Sequence, residues 1–272
     1  MSTENKKIPV ITKIETQKRA GRYNVYLDGR YAFPVSEDVL VRFRLFKGSE
    51  VDDNLREQLE NADQQSQAWG VALGYISYQQ RTEQETVDYL VKKEYDPDTI
   101  DAVIARLKEE LVLNDKHYAY SYVRTMRRTS DKGPTVIRRT LQQKHVQVNY
   151  IDEALADEYS VDQQLEKLAE LMPKLQRQYR KETPRLQRQK VQKRLVERGY
   201  SFDVVGEALN EVAFEMSDDD QADLMAPQAE KLWQRYRAQP ESQRKMKVRQ
   251  ALYRKGFSGE LINAWFDKLA DE

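Results

Sequence analysis

A helical pattern recurs along this chain about every 54 residues. Four leucines mark the same position in successive copies: Leu90, Leu141, Leu195 and Leu252. Ten residues later, each copy has a β-branched apolar residue that begins a stripe with spacing i, i+3, i+4, i+7: Ile100, Ile151, Val205 and Ile262. This spacing is typical of an amphipathic helix, and two further helical segments precede it in each copy. The recurrence predicts four tandem repeats of three helices each.

Charge alternates in phase with this repeat, although the whole chain carries 45 bases and 45 acids. Residues 116–150 contain 8 bases and 1 acid, 173–200 contain 10 and 2, and 231–257 contain 9 and 1. The intervening segments are acidic, with 7 acids and 1 base in 151–172 and 9 acids without a base in 201–230. An array that groups the basic helices on one side produces a field that mixed charge would cancel. We therefore expect a positive face suited to a long polyanion.

The first part of the chain has a β pattern. Arg22–Leu27 and Arg30–Phe33 flank Asp28-Gly29, a dipeptide that favours a type I′ hairpin turn because both central residues need a positive φ. Val10–Thr16 is predicted to add a third strand, and Pro34 is expected to end the second strand of the hairpin. A short helix should follow.

The predicted fold is mainly α-helical, an elongated and curved array of four three-helix repeats preceded by a small β-hairpin region. The predicted boundaries place the hairpin region in residues 1–67 and the repeats in 68–115, 116–163, 164–223 and 224–272. The first helix of the first repeat is expected to start at Ala68. The acidic run 217–223 is expected to be a linker between the last two repeats.

The end of the second helix in each repeat has a recognisable capping position. Four residues after the aligned leucine stand Glu94, His145, Gly199 and Gly256. Glycine favours the left-handed conformation that ends many helices, so the two copies without glycine are expected to have looser caps. The residue before each cap is a base that complements the helix dipole: Lys93, Lys144, Arg198 and Lys255.

Several motifs in order along the chain resemble one known family. They are the run Ala72–Glu85, the segment Leu113–Ala119, Lys132-Gly133-Pro134 before a helix, and the hairpin Tyr23–Phe33 followed by Val35–Leu40. Together they resemble the bacterial regulatory proteins of the RecX family. The chain departs from that family in lacking an overall excess of positive charge.

The resemblance implies a non-enzymatic regulator of homologous recombination and DNA repair. Its partner would be the RecA recombinase, which polymerises on single-stranded DNA. Proteins of this family lie in the helical groove of the RecA filament, contact DNA, and restrain filament growth, ATP hydrolysis and strand exchange.

Basic side chains on the repeats are the candidate contacts to this filament and its DNA. Arginine binds phosphate or carboxylate with two parallel hydrogen bonds, and nearby Tyr179, Trp233 and Tyr236 are candidates for stacking on bases. The predicted binding residues are Arg124, Arg127, Arg128, Arg138, Arg139, Lys144, Arg185, Arg188, Lys190, Lys193, Arg194, Arg244, Lys245, Lys247 and Arg249.

The composition argues against other classes of function. The chain has no cysteine, two histidines and 10 dispersed glycines, so we predict no catalytic site, metal site or cofactor. No stretch approaches the roughly 18 apolar residues of a membrane span, and we predict a cytoplasmic monomer. Two alternatives stay open: a nucleic-acid-binding helical-repeat protein that acts alone, and a scaffold that binds only proteins.

Overall fold

The computed structural model describes residues 7–271, and within them it is mainly α-helical with one small sheet. The N-terminal elements are β1 Ile11–Thr16, β2 Arg22–Leu27, β3 Arg30–Ser36 and α1 Glu37–Arg42. Twelve more described helices follow in four sets of three, and we call each set a module. They are α2 Asp53–Tyr78, α3 Glu83–Lys92 and α4 Pro97–Glu109 in module one; α5 Asp115–Thr129, α6 Pro134–Gln143 and α7 Val148–Glu158 in module two; α8 Val161–Gln178, α9 Pro184–Glu197 and α10 Phe202–Asn210 in module three; and α11 Asp218–Arg235, α12 Glu241–Arg254 and α13 Gly259–Asp271 in module four. The predicted fold class, mainly α after a small β region, is confirmed.

The three strands form an antiparallel sheet in the order β1-β2-β3. Asp28 and Gly29, between β2 and β3, have φ values of 47° and 81°, as the type I′ turn requires. Pro34 does not end the strand, because it pairs opposite Asn24 and β3 continues to Ser36. A proline is tolerated there since β3 is an edge strand and does not need every N–H for a neighbour.

Helix α2 begins well before the predicted start at Ala68. Its N-cap is Asp52, whose side chain accepts a hydrogen bond of 2.7 Å from the Leu55 N–H. Leu59 belongs to the core under the sheet, whereas Ala68 lies in the core of module one. One long helix therefore supplies residues to both cores. Its first part lies outside the repeat, so the repeat period does not predict it.

The segment 217–223 is also helical and is not the linker that its acidic composition suggested. The Ser217 hydroxyl accepts from the Asp220 N–H at 3.1 Å and caps α11. Three consecutive acids, Asp218 to Asp220, fill the first turn, where negative charge interacts favourably with the helix dipole.

The described residues divide into two compact units. One contains residues 7–119 and Gln142–Tyr150, and the other contains Tyr120–Leu141 and residues 151–271. The core of module four is a buried cluster around Val248, Leu252 and Ile262. Leu252 is the aligned leucine of this repeat, Val248 stands four residues before it, and Ile262 is the β-branched residue ten positions after it. The register found in the sequence thus identifies core positions.

All four capping positions adopt the left-handed conformation, including the two that lack glycine. The φ values are 64° for Glu94, 60° for His145, 95° for Gly199 and 87° for Gly256. In each case the backbone N–H of this residue donates to the carbonyl three residues earlier at 2.9 Å. Glu94 and His145 therefore form the left-handed cap without glycine, and the expectation that these two caps are looser stays a prediction.

Glycine is needed at the last two caps for a second reason, which is space. A Cβ added to Gly199 would lie 2.7 Å from the Val136 backbone nitrogen, and one on Gly256 would lie 2.5 Å from the Thr183 hydroxyl oxygen. Glu94 and His145 are both exposed. Each glycine thus permits close contact with the preceding module.

Replacing Glu94 or His145 by glycine should raise the free energy of unfolding by about 0.5–1 kcal/mol each, because glycine removes the cost of a left-handed L-residue. Gly199→Ala should lower it by more than about 1 kcal/mol, because it adds both strain and a clash. Urea unfolding followed by circular dichroism measures these changes. A loss of stability in both glycine variants would contradict this account of the caps.

Candidate partner-binding surface

The second helices of neighbouring modules meet end to end. Between modules two and three, the Gly133 N–H donates to the Arg198 carbonyl at 2.7 Å and the Thr135 N–H to the Gly199 carbonyl at 3.0 Å. Free carbonyls at the end of α9 therefore accept from free N–H groups at the start of α6. Each helix end would otherwise leave these backbone groups without partners.

Between modules three and four the equivalent helix ends also meet, here through a side chain. Thr183 is the N-cap of α9, and its hydroxyl donates to the Lys255 carbonyl at the end of α12 at 2.6 Å. Negative helix C-termini thus meet positive N-termini, an alignment that is electrostatically favourable. As a result, Pro134–Leu141, α9 and α12 follow one another within one compact unit, and we call this series the basic row.

Between modules one and two, an ion pair joins the equivalent helix ends. Lys144 follows α6, and its Nζ contacts the Glu85 carboxylate in the first turn of α3. Burial raises the pKa of Glu85, but hydrogen bonds from Lys144 and from the Thr82 N–H outweigh it and leave the pKa below its usual 4.5. Burial lowers the pKa of Lys144, but its hydrogen bonds with Glu85 and Tyr118 outweigh it and leave the pKa above 10.5.

A second ion pair of this kind lies in the other compact unit. Arg198, the base at the same repeat position as Lys144, lies 3.4 Å from the Asp131 carboxylate just before α6. Two of the four bases that were predicted to complement their own helix dipole therefore also bind an acid at the start of the preceding second helix. The sequence carried a signal for one of these acids, because Glu85 completes a capping box with Thr82.

Several predicted binding residues are instead engaged within their own modules. Arg188 donates to the Leu209 carbonyl at 2.7 Å and to the Asn210 side chain at 2.8 Å, and so closes the end of α10. The Arg244 guanidinium lies 3.5 Å from the centre of the Trp233 ring and donates to the Trp233 carbonyl at 2.8 Å. The face of Trp233 predicted to stack on bases is therefore covered by a side chain of its own module.

Two further arginines use one repeat position for an internal contact. Arg138 and Arg249 each stand three residues before the aligned leucine. Arg138 pairs with Asp152, and Arg249 donates to the Asn263 side chain at 2.7 Å. Asp152 and Asn263 are likewise equivalent, since each follows the β-branched residue of the third helix. These contacts hold the second helix against the third.

Module two engages two more of the predicted residues. Arg124 pairs with the Glu158 carboxylate, and Arg127 donates to the Glu158 carbonyl at 2.7 Å. Elsewhere, the predicted bases Lys190 and Lys245 pair with Glu182 and Glu241, while Lys247 lies 5.7 Å from the centre of the Tyr236 ring. Each of these contacts would have to be exchanged for a contact to a partner.

The remaining predicted residues are exposed and, within residues 7–271, make at most long ion pairs. The side chain of Lys193 is 78% exposed and lies 3.8 Å from Glu197, which is 3.6 Å from Arg194. Such exposed pairs contribute only about 0–1 kcal/mol, so a ligand can replace them at little cost. The exposed set is Arg128, Arg139, Arg185, Lys193 and Arg194.

Metal-ligand clusters and membrane-spanning helices are both absent from the part of the chain that the structure describes. Within residues 7–271, no three His, Asp or Glu side chains are grouped as metal ligands would be. None of the helices between these limits is both long and apolar enough to cross a membrane.

The Lys144–Glu85 pair should couple by about 1 kcal/mol in a double-mutant cycle, because both side chains are partly buried. Lys144→Met and Glu85→Gln supply the cycle, measured by urea unfolding. The exposed pair Arg56–Glu60 is the control and should couple by at most about 0.5 kcal/mol.

The pH dependence of this coupling follows from the two pKa shifts. The coupling should be present between the usual pKa values of 4.5 for Glu85 and 10.5 for Lys144. It should be lost as the pH falls through the lowered pKa of Glu85 or rises through the raised pKa of Lys144. Coupling that persists in strong acid would contradict this assignment.

Sequence models of one family match most of the chain. The Regulatory protein RecX N-terminal domain matches residues 9–52, and the first and second RecX three-helix domains match 68–107 and 114–155. The third RecX three-helix domain matches twice, at 162–209 and 218–266. Modules three and four are therefore two copies of one type.

Relatives and solved structures agree with these matches. Regulatory protein RecX of Levilactobacillus brevis is 47% identical over 262 residues, which cover 96% of this chain and 98% of the relative. The protein of that name from Bacillus subtilis (strain 168) is 38% identical over 256 residues, covering 94% and 97%. A crystal structure of regulatory protein RecX superposes with a TM-score of 0.68 at 42% identity, covering 75% of this chain and 100% of that one. This chain belongs to the RecX family of regulatory proteins.

Proposed function

We propose that this protein is a non-enzymatic regulator of RecA that binds the RecA filament on single-stranded DNA. In this proposal it inhibits or modulates the RecA ATPase, strand exchange and filament growth, and thereby regulates homologous recombination and DNA repair. It acts as a cytoplasmic monomer without a cofactor. Membership of the RecX family supports the regulatory role, and the basic row is the observation that supports the binding mode.

The basic row offers cations at intervals along a line, which is the arrangement of phosphates along a nucleic-acid strand. Arg139 lies on α6, and Lys193 and Arg194 lie on α9. The backbone hydrogen bonds between the helix ends hold these side chains at fixed spacing. A fixed spacing lowers the entropy cost of binding a regular polymer.

Inhibition follows if the protein binds one state of the filament better than another. A ligand shifts a conformational equilibrium only by its difference in affinity for the two states. A row of cations with fixed spacing should fit one spacing of the filament groove. Bound protein would then oppose the change in groove width that nucleotide turnover requires.

An ATPase assay of RecA on single-stranded DNA, with this protein titrated in, tests the proposal. Comparing its affinity for a preformed filament with that for bare single-stranded DNA tests the binding mode. We expect tighter binding to the filament and a falling ATPase rate. Equal or tighter binding to bare DNA without a change in ATPase rate would instead favour a nucleic-acid-binding protein that acts alone.

The triple variant Arg139→Glu, Lys193→Glu, Arg194→Glu should lose most of the inhibition while keeping its helical circular dichroism. These side chains are exposed and cap no helix, unlike Arg188. A plot of log affinity against log salt concentration should become less steep by about 2, because each of the three lost phosphate contacts contributes about 0.7 to the slope on a single strand. A control variant has the same change in charge at three exposed positions outside the row: Lys18→Glu, Lys47→Glu, Lys92→Glu. If both variants lose inhibition equally, the row is not the binding surface.

A further inference from the structure

The first and third helices of module three leave an open groove between them. This groove, between α8 and α10, has a volume of 460 Å³. We call it the acidic groove, because apolar side chains form its floor and carboxylates stand along it. The floor includes Met172, Ala208 and Val212, and the carboxylates are Glu166, Glu207 and Glu211.

No cation within residues 7–271 lines the acidic groove with the three carboxylates, although Glu166 also lines a neighbouring surface groove with Arg127 and Arg128. Within residues 7–271, none of the three forms an ion pair. Other acids of the same compact unit do so, for example Glu158 with Arg124 and Glu182 with Lys190. The lining of the acidic groove thus carries three negative charges and no base, so charge complementarity favours a cationic partner.

A proline adds a further hydrogen-bond acceptor to the acidic groove. Pro173 lies inside α8 and has no N–H, so the carbonyl of Ala169 lacks the helical hydrogen bond that residue 173 would normally donate. Both residues line the groove. A mid-helix proline costs stability, and here it leaves a carbonyl without its helical donor at the groove.

Module four repeats this arrangement at the equivalent place. Pro227 lies inside α11, and the carbonyl that it leaves without a helical donor belongs to Asp223. Both residues line a groove of 450 Å³ between α11 and α13, whose lining also includes Glu230, Trp265 and, unlike the acidic groove, one base, Lys268. A first-helix proline, a carbonyl without its helical donor, an apolar floor and acids thus occur together twice. The groove is therefore a property of the module type.

The acidic groove is separate from the basic row. In module three, α8, α9 and α10 each pack against the other two. In such a three-helix bundle the groove between two helices opens on the side away from the third. The groove between α8 and α10 therefore faces away from α9, and a ligand there leaves Lys193 and Arg194 of α9 accessible.

We propose that the acidic groove is a docking site for a segment of a partner protein that carries Lys or Arg side chains beside an apolar anchor. The apolar floor receives the anchor, and the carboxylates with the Ala169 carbonyl receive the N–H donors. Phosphate is excluded by like charge, so this site does not bind nucleic acid. The site does not depend on the function proposed above, because its residues lie outside the basic row.

Fluorescence anisotropy with a labelled, helical peptide of Lys and Leu at amphipathic spacing tests the groove. A triple variant of the groove should weaken binding by about tenfold, because it removes three charge contacts: Glu166→Gln, Glu207→Gln, Glu211→Gln. Ala169→Tyr should weaken it similarly by filling the groove without changing charge. The same peptide with Lys replaced by Glu, or with Leu replaced by Ser, should bind much more weakly.

A matched control is Glu57→Gln, Asp101→Asn, Glu109→Gln, which removes three exposed acids elsewhere and should leave the affinity unchanged. An equal loss in this control would show attraction to net charge alone and overturn the proposal. Unchanged peptide affinity in both the Glu→Gln triple variant and Ala169→Tyr would also overturn the proposal. Self-association in sedimentation velocity that only the groove variants abolish would assign the groove to a second copy of the chain and also overturn it.

Discussion

The end-to-end contact between second helices is the interaction on which the row of α6, α9 and α12 within the second compact unit depends. At the junction of α9 with α6, backbone N–H groups of one helix bond to backbone carbonyls of the other. Such contacts use groups that a helix end must satisfy in any case, so they demand little of the side chains. They do demand close approach, which is why Gly199 and Gly256 are glycines. A helical repeat that stacks in this way carries its second helix, and the charge on it, in a row.

The periodicity of the sequence predicted the repeat because burial at the aligned positions is strict. Leu90, Leu141, Leu195 and Leu252 are all 0% exposed. The hairpin was equally predictable, since the Asp28-Gly29 turn depends on local geometry alone. The errors arose where distant contacts decide the local structure. Helix α2 extends to Asp53 because it serves a second core, and Pro34 stays in a strand because that strand is at an edge.

The candidate surface was predicted only in part, for a related reason. Charge patterning identifies a basic helix, but it does not tell which of its cations face another helix of the module. Arg138, Arg188, Arg244 and Arg249 turn out to hold modules together internally. Lys193 and Arg194 lie on the same helix as Arg188, but their side chains are exposed. The acidic groove was missed because its floor and its carboxylates come from two helices, and no short motif records their pairing. One module thus presents a cationic and an anionic surface while the chain as a whole has no net charge.

The central claim, that helix-end contacts hold the basic second helices in a row, can be measured by pulsed electron paramagnetic resonance. The chain has no cysteine, so spin labels at Gln189→Cys on α9 and Gln250→Cys on α12 meet no background. The account predicts one narrow distance distribution that broadens when Thr183→Ala removes the hydrogen bond to Lys255. A broad or multiple distribution in the parent, or no change on removing Thr183, would contradict it.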